Sequence, residues 1–277
     1  MTNSAQEFRN KCVLITGGGR GIGKRLALGF ARLGARLALV ARSKAELDLT
    51  HIEIEQNGGS ALRIRGDVTD PEQMAVATDR VRVAYGAVPD VLICAAGVAG
   101  PLQPFLKSSL KHWTEALHVN LLGSINSCRA VLPGMVERRR GKIIVLVCSA
   151  DIAPKLHFSS YSTAKTAAVR FVESIAMEIA DKNVQINCFD PGQAYTSLTD
   201  EIIHAGDKLE PKVVSDALET RTTGGTSPEK QMKMAEFLAS ESSNHVTGRL
   251  IHVDDDWKKL KNATLKRDAY TLRRHLR

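Results

Sequence analysis

Apolar residues fall in short, β-branched runs that alternate with longer stretches of helical spacing from one end of the chain to the other. Residues 12–16 (CVLIT), 36–41 (RLALVA), 61–67 (ALRIRGD), 91–97 (VLICAAG), 142–149 (KIIVLVCS), 183–192 (NVQINCFDPG) and 249–255 (RLIHVDD) are predicted as strands. The stretches 25–34, 43–56, 71–86, 110–137 and 159–180 carry helical patterns. Strand followed by helix, repeated, predicts an α/β chain with a doubly wound, mainly parallel, seven-stranded sheet. Runs such as IIVLVC lack period-2 alternation, as expected of strands buried on both faces. Turn chemistry agrees: the glycines at 58–59 end a helical pattern, and Asp70-Pro71 supplies a cap followed by a residue suited to a first helical turn. One domain spanning residues 8–255 is expected. The rhythm breaks once, from 194 to 227, where a polar segment is inserted after a strand end, and such a position predicts a substrate lid.

The 277 residues are 43% hydrophobic and 25% charged, a globular composition that excludes a disordered or disulfide-stapled chain. No apolar run approaches the roughly 18 residues that cross a bilayer, and MTNSAQEFRNK lacks the apolar stretch of a secretory signal, so a cytoplasmic location is expected. The formal charge of +8 suggests nucleic acid until it is located: residues 258–277 hold eight Lys/Arg and one acid, a net +7, leaving about +1 elsewhere. A basic C-terminal extension, 257–277, follows a neutral body. Without a recognition motif or aromatic interleaving beyond Trp257 and Tyr270, nucleic-acid binding is not the expected function. The leucines of the tail suit an arm docked on its own body or on a neighbouring subunit. Cys12, Cys94, Cys128, Cys148 and Cys188 form no C-x-x-C pair and read as buried free thiols.

The first strand runs directly into TGGGRGIG at 16–23 and then a helical pattern. Glycines at a strand-to-helix turn let the backbone approach a pyrophosphate, and the helix amino terminus offers free N–H groups. Gly17, Arg20, Gly21, Ile22 and Gly23 are therefore cofactor-binding candidates. The second strand ends in Ala41-Arg42, where an NAD site would place an acid for the ribose 2′-hydroxyl. Arg42 and Arg20 instead offer guanidinium groups suited to a 2′-phosphate, which favours NADP(H) over NAD(H). Asp67 and Val68, after the third strand, are placed to accept from and flank an adenine.

Tyr161 and Lys165 are four residues apart on a helical stretch and so share one face. A phenol of ordinary pKa about 10 is a poor acid or base near neutrality, and an adjacent ammonium favours its ionised form. Ser149, at the end of the preceding strand, can hydrogen-bond a carbonyl or alcohol oxygen against that hydroxyl.

With these residues in view, positions 8–255 closely resemble the short-chain dehydrogenase/reductase superfamily. TGGGRGIG matches its TGxxxGxG loop rather than the TGxxGxxG of the extended, sugar-nucleotide branch. The resemblance implies a Rossmann-type fold and a catalytic set of Asn120, Ser149, Tyr161 and Lys165. It also implies cofactor contacts from Ala95, Ala96 and Gly97 in the segment that is NNAG in the family and CAAG here, from Pro191 and Gly192, and from Thr196. Cys94 replaces an asparagine that braces the sheet, a local change in stability. The activity implied is an NADP(H)-dependent oxidoreductase interconverting a secondary alcohol and a carbonyl, acting on a small molecule as a homodimer or homotetramer. A dehydratase or epimerase on a sugar-type substrate, and a catalytically silent NADP-binding regulatory module, are the alternatives. The first is disfavoured by the glycine spacing and the second by the complete catalytic set. The charged residues of 194–227, among them Asp200, Glu201, His204, Asp207, Lys208 and Glu210, favour a polar, hydroxylated substrate. His157 and His204 fall near where it would bind. His112 and His118 read as packing residues, no grouping has metal-ligand spacing, and Asp254–Asp256 reads as a solvated turn.

Overall fold

In the computed structural model, which describes residues 4–148, 155–266 and 268–272, the chain builds one sheet. Its strands are β1 (Cys12–Thr16), β2 (Arg36–Ala41), β3 (Ser60–Arg65), β4 (Val91–Cys94), β5 (Gly141–Leu146), β6 (Val184–Asp190) and β7 (Leu250–His252). They lie in the order β3-β2-β1-β4-β5-β6-β7, and every pairing is parallel. Chain direction across the sheet reverses between β1 and β4, where a doubly wound sheet opens a crevice beyond the carboxyl ends of its strands.

The missing alternation in the strands is explained by two cores, one on each face. Val13, Ile15, Leu37, Leu39 and Ile93 meet Leu26 and Phe30 of α2 (Gly21–Arg32). The intervening Leu14, Ala38, Val40 and Leu92 meet the other layer: Met74 and Val81 of α4 (Pro71–Tyr85), Val131 and Met135 of α6 (Gly123–Glu137), and Val172 of α7 (Ser159–Glu178). Alternate side chains thus enter different cores, and both kinds must be apolar. Local signals set the helix ends. Ser43 caps α3 (Lys44–Gln56) by accepting from Glu46 N at 3.2 Å. Asp70 caps α4, accepting from Glu72 N at 2.9 Å and Gln73 N at 3.2 Å, and Gly86 closes that helix at φ +77°.

Two stretches differ from the sequence expectation. The pattern 110–137 is not one helix: α5 (Leu110–Leu117) and α6 are joined by a π-helical turn, His118–Leu122, that contains Asn120. Such turns insert a residue without breaking the apolar face, so periodicity does not disclose them. The segment 194–227 is mostly helical, with α8 (Ser197–Ala205) and α9 (Pro211–Thr223), and α10 (Pro228–Ala239) follows. Pro211 in the first turn of α9 and Gly224 at φ +82° after its last are start and stop signals that its polar composition obscured.

The described part of the C-terminal extension lies on its own body. After α11 (Trp257–Lys261), Leu260 and Leu265 join the first core and Leu272 the second. Leu250 N donates to Tyr270 O at 2.7 Å along the outer edge of β7, and Leu272 N donates to the buried Glu173 carboxylate at 2.7 Å, which also pairs with Arg170. Covering the last strand of a sheet shields an otherwise open hydrogen-bonding edge. Deleting 258–277 is expected to lower Tm by several degrees, a consequence of exposing apolar surface and the edge of β7. Cofactor preference stays unchanged, and thermal denaturation with cofactor titration checks both. Cys12, Cys94, Cys128 and Cys188 are buried free thiols, and Cys148 is half-buried. No helix among the described residues is long and apolar enough to cross a membrane.

Candidate active site

The glycine loop shapes the mouth of the crevice. Gly17, at φ +68°, occupies backbone space that a side chain cannot share: a Cβ there would stand 2.7 Å from Ala96 N and 2.8 Å from the Ala95 carbonyl carbon. Gly23 is packed against the Gly17 carbonyl with no room for a methyl group. The loop delivers the chain into α2, whose N-cap, Arg20, makes no side-chain capping bond, in contrast to α3 and α4. The first-turn amides of α2 thus remain available to an anion, aided by the helix dipole.

A cleft of about 490 Å³ opens there. Of the residues read from sequence, Gly17, Arg20, Gly21, Ile22, Arg42, Asp67, Val68, Ala95, Ala96, Gly97, Tyr161, Lys165, Pro191 and Thr196 line it. Gly23, Asn120 and Gly192 stand behind its wall, and Ser149 lies outside the described residues. Gly192 N donates to Asp190 Oδ1 at 2.8 Å, which fixes the turn after β6. Thr196 is the N-cap of α8, and its backbone N donates to Thr199 Oγ1 at 3.2 Å. Sequence reasoning did not single out Ser43, Glu46, Val119, Val147 or Leu198, which also line the cleft. Ser43 and Glu46 were findable as the cap and first turn of α3; the apolar three carry no local signal.

At the outer end of the cleft, Arg20 Nη1 pairs with Glu46 Oε1 at 3.1 Å, and Arg42 Nη1 stands 3.9 Å from Asp67 Oδ2. Asp67 Oδ1 accepts from Thr69 N and Thr69 Oγ1, each at 2.9 Å. Both guanidinium groups are exposed on the rim.

At the inner end, Tyr161 and Lys165 project from α7 along one face, with Lys165 Nζ 5.6 Å from the tyrosine ring centre and donating to Leu146 O at 2.9 Å. The buried Asn120 braces the strand end beside them: Nδ2 donates to Val98 O at 2.8 Å and to Ala116 O at 2.9 Å, and Oδ1 accepts from Val98 N at 3.2 Å. Asn120 thus holds the loop after β4 where Cys94 contributes no amide.

Beyond Tyr161 the surroundings are apolar. Phe158, Leu209 and Tyr161 form a buried cluster against Leu102, Leu198, Ile202 and Val213. Glu201, His204, Asp207, Lys208 and Glu210 are exposed on the outer side, and Asp200 accepts from Tyr195 Oη. The polar composition of 194–227 therefore belongs to its solvent face, and the expectation of a polar substrate surface does not follow from it. His204 Nδ1 is tied to Asp200 O at 2.7 Å, and His157 sits half-buried at φ +69° beside Phe158. Among the described residues no group of three His, Cys, Asp or Glu could hold a metal ion. In the triplet 254–256, Asp254 pairs with Lys230, Asp255 accepts from His252 N and Asp256 caps α11.

Known proteins resemble this chain over most of its length. The family described as short chain dehydrogenase matches residues 11–206. A 3-oxoacyl-(acyl-carrier-protein) reductase from Thermotoga maritima is 31% identical over 248 residues, covering 89% of this chain and 97% of its own. A 2,3-dihydro-2,3-dihydroxybenzoate dehydrogenase from Bacillus subtilis is 29% identical over 258 residues, covering 91% and 97%. Among solved structures, a short-chain type dehydrogenase/reductase from Mycobacterium marinum superposes with a TM-score of 0.78 at 30% identity, covering 90% of this chain and 95% of that one. With its parallel sheet, its glycine turn and its tyrosine–lysine face, the chain belongs to the short-chain dehydrogenase/reductase family and is an NAD(P)-dependent oxidoreductase.

Proposed function

We propose that the protein interconverts a secondary alcohol and a carbonyl with NADP(H), using Tyr161 as the general acid and base. The observation that carries this reading is the pairing of Tyr161 with Lys165 at the inner end of a cleft whose outer end is an uncapped helix terminus. The glycine loop and the α2 amides would hold the pyrophosphate, Arg42 and Arg20 the 2′-phosphate, and Pro191, Gly192 and Thr196 the nicotinamide end. When bound, the cofactor supplies or accepts the hydride, chemistry that no side chain here provides. Tyr161 gives its hydroxyl proton to the carbonyl oxygen in reduction and takes it back in oxidation. Lys165, anchored on Leu146 O, keeps a positive charge beside the phenol and favours its ionised form. Ser149 is assigned to hold the substrate oxygen, and Asn120 to keep the β4 loop in place.

The segment 194–227 acts as the lid of this site, and its apolar inner surface suits a carbonyl carried on an apolar body. The curated relatives act on an acyl group, or on a cyclic diol acid, by their names, so the family alone does not choose the substrate. Assembly as a dimer or tetramer is part of the proposal, supported by the exposed Phe105, Leu106, Leu110 and Met177. Light scattering on the purified protein tests it.

Arg42 provides the test of cofactor choice. A lost charge-assisted hydrogen bond costs about 1.5–3 kcal/mol. Arg42→Ala is therefore expected to weaken NADPH roughly tenfold or more and to leave NADH nearly unaffected. Fluorescence titration with both cofactors reads the difference. Equal losses would mean that Arg42 does not meet a 2′-phosphate.

A further inference from the structure

At the amino ends of the strands, at the opposite end of the sheet from the cleft, Lys142 of β5 lines a cavity of about 80 Å³. The residue is 7% exposed. Its Nζ donates to Ser243 Oγ at 3.2 Å and to Asn244 Oδ1 at 2.7 Å, and among the described residues no carboxylate stands within ion-pair distance of it. The Ser243 hydroxyl directs its own proton to Leu238 O or Ser240 O, at 3.0 and 2.9 Å, so it meets Lys142 as an acceptor. Two acceptors match the two N–H bonds of a neutral amine, and the nitrogen lone pair is left over.

Two of the three acids nearby are engaged elsewhere. Glu7 of α1 (Ser4–Phe8) accepts from Lys11 Nζ at 3.3 Å and from Glu241 N at 2.7 Å. Asp90, before β4, accepts from Cys12 N at 2.9 Å and Arg140 at 2.9 Å, with Arg138 at 3.6 Å. Glu241, in the turn after α10, adds a carboxylate to the cavity wall, and Lys11 and Arg140 add two cations. Burial, reinforced by the charge of Lys11, outweighs Glu7 and Glu241 and brings the Lys142 ammonium down to about 7. A buried amine that is substantially neutral near physiological pH, with an adjoining cavity and cations on its wall, is a nucleophile with a place for an anionic product.

We propose that Lys142 is a carbon dioxide site, at which the amine adds reversibly to carbon dioxide and the resulting carbamate is held beside Lys11 and Arg140. The Nζ lone pair forms the N–C bond, one C=O π pair moves onto oxygen, and an N–H proton leaves to solvent. No group is oxidised or reduced. The size of the cavity selects the electrophile: three heavy atoms fit, whereas a carrier-borne acyl group does not.

The experiment uses the full chain equilibrated with ¹³C-labelled carbon dioxide and bicarbonate, followed by carbon NMR and by trapping with a trialkyloxonium reagent and peptide mapping. An alkyl carbamate on the peptide containing Lys142 is expected. At fixed dissolved carbon dioxide and below saturation it should be well over tenfold more abundant at pH 8 than at pH 6: the neutral fraction of a group titrating at about 7 rises roughly tenfold, and loss of the carbamate's proton to solvent favours the adduct further as pH rises. Lys142→Met should abolish the signal, and Lys11→Ala should reduce it. Absence of an adduct at Lys142 when the α-amino group is trapped, or an adduct there that does not grow with pH, overturns the proposal. Peptide mapping of the unaltered protein decides the matter even if Lys142→Met does not fold.

Discussion

Tyr161→Phe is expected to lower kcat by ~10²–10⁴, the usual contribution of general acid–base catalysis, with the Kd for NADPH changed less than threefold or so. The change removes one hydroxyl and leaves the ring in its cluster with Phe158 and Leu209, so α7 and the apolar wall persist. It also leaves Lys165 anchored on Leu146 O, 2.9 Å away, so the positive charge beside the reaction centre persists. The loss then reports on proton transfer alone. Pre-steady-state reduction of a test ketone under single-turnover conditions separates chemistry from product release. Turnover like that of the unaltered protein would remove Tyr161 from the mechanism.

Gly17→Ala is the second large effect, and its cause is steric rather than chemical. At φ +68° an L residue costs about 1–2 kcal/mol, and here the new methyl group also meets backbone atoms of Ala95 and Ala96 at 2.7–2.8 Å. Those atoms belong to the chain leaving β4, whose Ala95 N is hydrogen-bonded to Thr16 O at 3.1 Å, so they cannot retreat without opening the sheet at the switch point. The glycine loop must shift instead, and the α2 amides shift with it. Affinity for NADPH and NADH should fall together by at least tenfold, with a lower Tm, in contrast to the selective loss expected of Arg42→Ala. Isothermal titration with both cofactors checks the pattern. Unchanged binding would place the pyrophosphate elsewhere.

The strands were legible in the sequence because burial on both faces makes them continuous apolar runs, and their parallel direction followed from the helices between them. The glycine loop and the spacing of Tyr161 and Lys165 were legible for a related reason: each is a local geometry, a turn or one helical face, specified by residues close in sequence. The site's other properties depend on residues far apart. Asn120 lies in a π turn, from which its amide bonds both Val98 and Ala116, and no period in 110–137 encodes that insertion. The pairing of Arg20 with Glu46, 26 positions later, arises only when α3 folds back beside the loop. Polar residues of 194–227 suggested a polar binding surface, yet an amphipathic helix carries two faces, and only packing on Phe158 and Tyr161 decided which one turns inward. The cavity at Lys142 was invisible for the same reason: its walls come from the ends of several strands and the turn after α10, which tertiary structure alone brings together.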